Sequence, residues 1–375
     1  MGCTSSATVS VLVDEDNNNK GSIEGNAQSD AADSPLIENE PHHEEADLNQ
    51  PGNEQSYSKM SSNSRLPTIT KTNDGFLVSR IPSANTLPES IMPVLELFNL
   101  ISIGYRVPHI TDPNYILIVD CREYALYSES HIITARHYTS LDEDQDCLLE
   151  TGVCDKYAII VVYGTTTDDP KTKEIYERIN GKGLYVQIIN GGFGKFSSHA
   201  PFLCSDKMLR TEQERMKNII TYPSAILEDA LYQGGAVHAE SRVVIDNLRI
   251  THVVNVSTEV DCPFEDSCKY LHLKFADEGG ANLISVFERA ADFVATALQD
   301  GSNRVLVHCV MGVSRSSSIT IAFLMKYHSF SFRDAYRYLR ERRSVAAPNT
   351  GFVRQLASYE ERLFGAKLTD PDDVL

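Results

Sequence analysis

Residues 304 to 325, RVLVHCVMGVSRSSSITIAFLM, join a short apolar run to an apolar helix through a loop that carries Cys309 and, six positions on, Arg315. Arg304 to Val307 reads as a buried strand, and Ile319, Ile321, Ala322, Leu324 and Met325 as the buried positions of a helix. Between them lie His308, Cys309, Val310, Met311, Gly312, Val313, Ser314, Arg315 and Ser316. The residues between Cys309 and Arg315 can curl with their N–H groups inward, which makes an anion nest at the positive end of the helix dipole. A phosphate fits such a nest. Arg315 would close it with a planar fork that binds two phosphoryl oxygens and stays charged at any working pH. The same nest favours the Cys309 thiolate, a ready nucleophile near neutrality. Gly312 permits the sharp backbone path that a Cβ would obstruct. Ser316 is placed to donate a hydrogen bond to the sulfur when a phosphoenzyme breaks down, while His308 is expected to orient the loop backbone and not to act as a base.

Outward from this segment, PSAILEDALYQGG reads as a strand and turn, VHAESRVVIDNLRI as a helix, THVVNVS and KYLHLKF as strands, and SVFERAADFVATALQ as an amphipathic helix. A phosphoester also needs a proton on its leaving oxygen. Asp277, in the loop after KYLHLKF, is the candidate general acid, with Glu278, Asp261 and Glu265 as rivals. Asn282 and Asn349 are read as loop braces, Asn349 from behind the site. Val310 and Met311 give the nest an apolar rim, and the lack of a long inserted loop predicts a shallow pocket. No metal and no cofactor is required.

The N-terminal half alternates strands and helices. PESIMPVLELFNLI has helical spacing, Ile116 to Val119 and YAIIVVYG read as strands, and EYALYSESHIITARHY as a turn, a short helix and a resuming strand. The helix DPKTKEIYERI, the strand LYVQII and the turn Asn190-Gly191-Gly192-Phe193 follow. This alternation means a parallel sheet covered by helices. Ahead of it, Met1 to about Arg80 is rich in Asn, Ser, Asp, Glu and Pro, a composition that cannot bury enough apolar surface to offset its ordering entropy. Met1-Gly2-Cys3-Thr4-Ser5-Ser6 fits an N-myristoylation acceptor, with Cys3 a candidate for S-acylation. The paired His42 and His43 have no further ligand near them and are read as solvated.

The whole chain has 375 residues, with 34 Lys and Arg against 52 Asp and Glu, a net charge of −18. That charge argues against nucleic acid as a partner. No run of eighteen apolar residues is present to span a bilayer. The eight cysteines, at 3, 121, 147, 154, 204, 262, 268 and 309, show no CxxC pair, which fits free thiols in a reducing, intracellular compartment.

The HCxxGxSRS signature, with THVVNVS, KYLHLKFADEGGANL, RVLVHC and APNTGFVRQLASYEERL, resembles the dual-specificity class of Cys-x5-Arg phosphatases over about residues 218 to 365. Asp277 matches the general-acid position of that class. DCREYALYSESHIITA and INGGFGKFSSHAPFLC resemble the rhodanese-like domain found at the N-terminus of MAP-kinase phosphatases. Active rhodaneses hold a Cys nucleophile in the loop after the central strand. Here that loop, Gly164-Thr165-Thr166-Thr167-Asp168-Asp169, has no Cys and two carboxylates, and Cys121 sits at a strand end instead. The resemblance therefore implies a docking or regulatory module without sulfur transfer. Where MAP-kinase phosphatases carry a basic kinase-docking cluster, this chain has Asp142, Glu143, Asp144 and Asp146. The domain pair also resembles the serine/threonine/tyrosine-interacting-like group, whose best-known member is a pseudophosphatase that lacks the nucleophile. This chain keeps Cys309, Arg315, Ser316, His308 and Asp277.

The expected fold class is α/β, a rhodanese-like parallel-sheet domain followed by a dual-specificity phosphatase domain, behind a disordered acidic tail. The expected limits are 1–85 for the tail, 86–206 for the first domain, 207–217 for a linker, 218–366 for the phosphatase domain and 367–375 for a C-terminal tail. The expected activity is hydrolysis of phosphotyrosine and phosphoserine/phosphothreonine through a cysteinyl phosphate. The alternative is a scaffold that binds phosphoproteins without turnover. Expected partners are phosphorylated proteins, MAP kinases among the candidates, in the cytoplasm or at a membrane through acylated Gly2 and Cys3.

Overall fold

The structure, a computed structural model, describes residues 69–72 and 75–78 by their backbone and residues 87–104, 108–142 and 153–374 in full. Gly2, Cys3, His42, His43, Glu143, Asp144 and Asp146 lie outside the described residues. Ile69–Thr72 and Gly75–Val78 pair as an antiparallel hairpin, inside the stretch whose composition predicts a disordered tail. The β-branched Ile69, Thr70 and Thr72 and the run Phe76-Leu77-Val78 give these eight residues a strand preference that the preceding polar sequence lacks.

The first domain is a five-stranded parallel sheet in the order Ile91–Met92, Val186–Ile189, Ile159–Tyr163, Ile116–Asp120, Arg136–His137. Its inner strands, ILIVD and IIVVY, are apolar nearly throughout because helices cover both faces. Leu117, Val119, Ile160 and Val162 face the helix Pro170–Asn180, whereas Ile116, Ile118, Val161 and Tyr163 share a core with the helix Val94–Ser102. At the end of Ile116–Asp120, the buried Asp120 carboxylate accepts from Arg122 Nη2 at 2.6 Å and from the Tyr163 hydroxyl at 2.8 Å. Arg122 Nη2 also donates to the Ser130 carbonyl, and its guanidinium stacks 3.7 Å from the Phe193 ring centre.

The connector at 207–217, expected as a linker, contains the helix Glu212–Asn218. A capping box starts it: Thr211 Oγ1 accepts from Glu214 N, and Glu214 Oε2 accepts from Thr211 N. Buried Arg215 then ties it to the first domain by donating to the carbonyls of Ile110 and Asp112.

The second sheet runs Ser224–Leu227, Leu231–Gly234, Val305–His308, His252–Asn255, Lys269–His272, antiparallel in its first pair and parallel in the rest. PSAILEDALYQGG thus forms two strands, with Asp229 at φ 53° in the turn, where the sequence reading has one. VHAESRVVIDNLRI breaks into Ala236–Ala239 and Arg242–Asn247, because Ser241 caps the second piece through its contact with Val244 N. The helices Ile284–Leu298 and Arg315–His328 pack on the sheet, and Phe332–Arg342 and Thr350–Phe364 complete the layer. These last two went unassigned in the sequence; Ser331 and Asn349 cap them, accepting from Asp334 N and Phe352 N. Among the described residues no helix is long and apolar enough to cross a membrane.

Four histidines of this domain are buried, and in three of them burial pushes the ring far down, His238 to about 3 and His308 and His328 to about 4 from an ordinary 6.5. Each stays neutral in the fold where an unfolded chain would take up a proton. The stability carried by the neutral rings is complete above pH 6.5 and is lost as pH falls from 6.5 toward 4, at about 1.4 kcal/mol per pH unit per histidine. The urea midpoint of the full chain should therefore fall steeply between pH 6.5 and 5. An unchanged midpoint would contradict the burial of these rings.

Candidate functional site

The strand Val305–His308 is central in the second sheet, and its last residue lies beside Gly234 on one side and Asn255 on the other. All three strands run parallel, so their C-terminal ends form one edge, where ligands of open α/β sheets bind. The loop 309–314 leaves this edge and the helix Arg315–His328 begins at its end. Every carbonyl of the loop has a donor behind it. Cys309 O lies 3.3 Å from His308 Nδ1, Val310 O accepts from Ala236 N at 2.8 Å, and Met311 O and Gly312 O accept from Arg343 Nη2 and Nε at 3.4 and 2.8 Å. Val313 O accepts from Ala347 N at 2.9 Å and Ser314 O from Ser318 N at 3.0 Å. A planar peptide that turns its carbonyl out turns its N–H in. The nest expected from the sequence is thus built by what lies behind it.

Cys309, 1% exposed, sits at its floor. Gly312 N–H donates to Cys309 Sγ at 3.2 Å, and Ser316 Oγ lies 3.4 Å from the same sulfur. Gly312 has φ +72°, and a Cβ there would collide with the Gly234 carbonyl and the Arg343 guanidinium. Burial keeps His308 neutral, with a pKa near 4, so above pH 5 it serves the loop as a neutral hydrogen-bonding ring. Met311 is 41% exposed and, with the half-buried Val310 and Val313, forms the rim.

Arg315 is 4% exposed, and its Nη1 donates to Glu259 Oε2 at 2.7 Å and to the Phe275 carbonyl at 2.9 Å. Its Nε carries no hydrogen bond and lies 3.5 Å from Asp277 Oδ2. One edge of the guanidinium is therefore clamped, while its Nε edge faces the Asp277 carboxylate. The charge-assisted bond from Arg315 holds the Glu259 carboxyl below its usual range. Asp277 Oδ1 accepts from Ser314 Oγ at 2.6 Å and from Asn349 Nδ2 at 2.8 Å, and Ser314 Oγ accepts in turn from Asn349 N. Asn349, expected behind the site, thus touches the proposed acid directly. The structure brings Asp277 to the loop but not its rivals: among the described residues Glu278, Asp261 and Glu265 receive no hydrogen bond from it, and Asn282 is exposed and only caps the turn at Ser285.

Sequence reasoning missed Glu259, Gln233 and Arg343. Glu259 carried a positional signal, since it closely follows the strand whose end lies beside His308. Gln233 Nε2 donates to Ser317 Oγ at 2.8 Å and approaches Gly312 O at 3.3 Å. Arg343, at the end of a helix not assigned from sequence, carried none.

In the first domain, the loop 164–169 fills its own anion position. Asp169 Oδ1 caps the helix Pro170–Asn180, accepting from Lys171 N and Thr172 N at 3.0 and 3.2 Å, and Asp168 pairs with Lys173. Cys121 is buried at the strand end, and desolvation pushes its thiol up to about 12. Asp142 is paired with Arg178. The six described cysteines are all unpaired.

The Rhodanese-like domain profile matches residues 108–199 and the profile "Dual specificity phosphatase, catalytic domain" matches residues 231–362. The chain is 33% identical over 225 residues to a probable rhodanese domain-containing dual specificity protein phosphatase of Dictyostelium discoideum, over 60% of this chain and 44% of that protein. It is 33% identical over 299 residues to dual specificity protein phosphatase 5 of Rattus norvegicus, over 66% of this chain and 77% of that one. The crystal structure of human tyrosine phosphatase-like serine/threonine/tyrosine-interacting protein is 33% identical, covers 39% of this chain and 99% of its own, and gives a TM-score of 0.36. The chain belongs to the dual-specificity protein phosphatase family, with a rhodanese-like domain ahead of the catalytic domain. It spans less than half the length of the Dictyostelium relative.

Glu259→Gln keeps the shape of the Arg315 clamp and removes its charge. It should lower kcat/KM for a small aryl phosphate by about threefold to tenfold, the size expected of a charge-assisted bond that is half exposed. Unchanged kinetics would show that Phe275 O alone orients Arg315.

Proposed function

We propose that this chain is a protein phosphatase that cleaves phosphate monoesters of tyrosine, serine and threonine side chains through a cysteinyl-phosphate intermediate. The observation that carries the reading is the convergence of Cys309 Sγ, the Gly312 N–H, the Ser316 hydroxyl, the Nε edge of Arg315 and the Asp277 carboxyl at one loop. In the first step the Cys309 thiolate attacks phosphorus, the bond to the leaving oxygen breaks, and Asp277 gives that oxygen its proton. Arg315 Nε and the loop N–H groups bind the phosphoryl oxygens and stabilise the charge that builds on them. In the second step Asp277, now a carboxylate, takes a proton from water as the water attacks phosphorus. The S–P bond breaks and the Ser316 hydroxyl hydrogen-bonds the departing sulfur.

Ser314 and Asn349 aim Asp277, while half-exposed Val310 and exposed Met311 leave the rim low and apolar, which supports a pocket that admits short and long phosphorylated side chains alike. The substrates in this reading are phosphorylated proteins. Asp168, Asp169 and the Asp142–Arg178 pair support a regulatory or docking role for the rhodanese-like domain, without sulfur transfer. We place that domain at 86–206 and the phosphatase domain at 218–366.

The test is single-turnover hydrolysis of a small aryl phosphate by the reduced full chain. A burst is expected that Cys309→Ser abolishes and Asp277→Asn slows by about 10²- to 10⁴-fold, the usual range for a general acid. Intact phosphopeptide binding with no burst in the unaltered chain would make it a phosphate-reading scaffold instead.

A further inference from the structure

The rhodanese-like domain reaches the phosphate loop through a short polar route. Asn99, on the helix Val94–Ser102, is 8% exposed. Its Nδ2 donates to the Ala225 carbonyl at 3.0 Å and its Oδ1 accepts from the Ala225 N–H at 2.8 Å. Ala225 lies on Ser224–Leu227, the edge strand of the phosphatase sheet, whose other side pairs with Leu231–Gly234. One carboxamide thus does for this edge residue what a further strand would do, satisfying both backbone groups. The neighbouring Ser224, 1% exposed, accepts from Arg343 Nη1 at 3.1 Å. The other two nitrogens of Arg343 hold Gly312 O and Met311 O.

The surroundings fix this route. Leu97, Phe98 and Ile101 of the first domain share one buried core with Tyr222, Ala225 and Tyr232 of the second. Phe202 lies 4.5 Å from Tyr222, ring centre to ring centre. A second tie runs through Asp229, which meets Arg304 of its own domain at 2.9 Å and His199 of the other at 3.6 Å. The backbone of Ser224–Leu227 is therefore gripped from the rhodanese-like side, and Ser224 sets where the fully buried Arg343 side chain can lie.

We propose that Asn99 is a positioning residue of the phosphate loop: by fixing the backbone at Ala225 it places Ser224, hence Arg343, hence the carbonyls of Gly312 and Met311. The rhodanese-like domain is then a structural part of the oxyanion site, and whatever displaces the helix Val94–Ser102 is felt at Cys309. The proposal rests on the phosphatase reading only for the meaning of turnover. The grip on an oxyanion is testable without it.

The experiment uses the full chain, with Asn99→Ala, Ser224→Ala and the double variant. Tungstate affinity is read by calorimetry, kcat and KM with a small aryl phosphate, and folding by thermal melting. Each single variant should bind tungstate about twofold to thirtyfold more weakly, the range seen when residues along a coupling route are altered. Each should also lose kcat more than KM changes. The double variant should lose no more than the worse single one, because both act through Arg343. If Asn99→Ala does not fold, Asn99→Ser, which keeps a hydroxyl at the edge strand, is read the same way. Folded variants with a lower melting temperature but unaltered tungstate affinity would overturn the proposal and leave Asn99 a domain clasp, and fully additive losses would also overturn it. Tungstate binding without turnover in the unaltered chain would sink the phosphatase reading and leave this test intact.

Discussion

A fully buried guanidinium, that of Arg343, holds the carbonyls of Gly312 and Met311 behind the phosphate loop, and the geometry of the site depends on it. A loop that turns several N–H groups toward one point must turn its carbonyls away, and buried carbonyls need donors. Ala236 N, Ala347 N and the three nitrogens of Arg343 are those donors or brace them. Among the described residues the partners of Arg343 are carbonyl and hydroxyl oxygens, with no carboxylate in contact to cancel its charge. Burial brings it down to about 10, still a cation at neutral pH, and the Cys309 sulfur favours that charge.

This arrangement reconciles an acidic chain with an anion site. Of the net charge of −18, −11 falls in residues 1–56, which hold twelve Asp and Glu against one Lys, whereas Arg343 and Arg315 act at contact range in a buried loop. The carboxylates beside Arg315 divide the work. Glu259 takes the Nη1 edge, and Asp277, held by Ser314 and Asn349, stands near the Nε edge. In the first domain the comparable loop is closed by its own acid, since Asp169 occupies the helix N-terminus. The two α/β domains use the same local feature, a helix start after a parallel strand, with opposite outcomes.

Much of the fold was legible because its signals are local. The apolar runs ILIVD, IIVVY and VLVH, each followed by a turn and a helix, announce parallel strands wherever they occur. The departures are local too: the hairpin at Ser224 to Gly234 reads as one strand because its turn, at Asp229, is short, and the helix at Glu212 to Asn218 lies in a charged stretch where only its capping box signals it. Asn349 reads as a brace in the sequence, and the structure places its amide on Asp277.

What the sequence by itself determined is the chemistry within one strand, loop and helix: a thiol, Gly312, Arg315 and Ser316 within eight residues, which chain connectivity keeps close to one another. Only the tertiary structure decided what holds them. Glu259 is 56 residues from Arg315, Asn349 is 72 from Asp277, Arg343 is 31 from Gly312 and Asn99 is 126 from Ala225. These partners meet because sheet register and a core shared by two domains bring distant segments together. Register is written in backbone hydrogen bonds and in the burial of whole faces, which no short stretch of sequence contains.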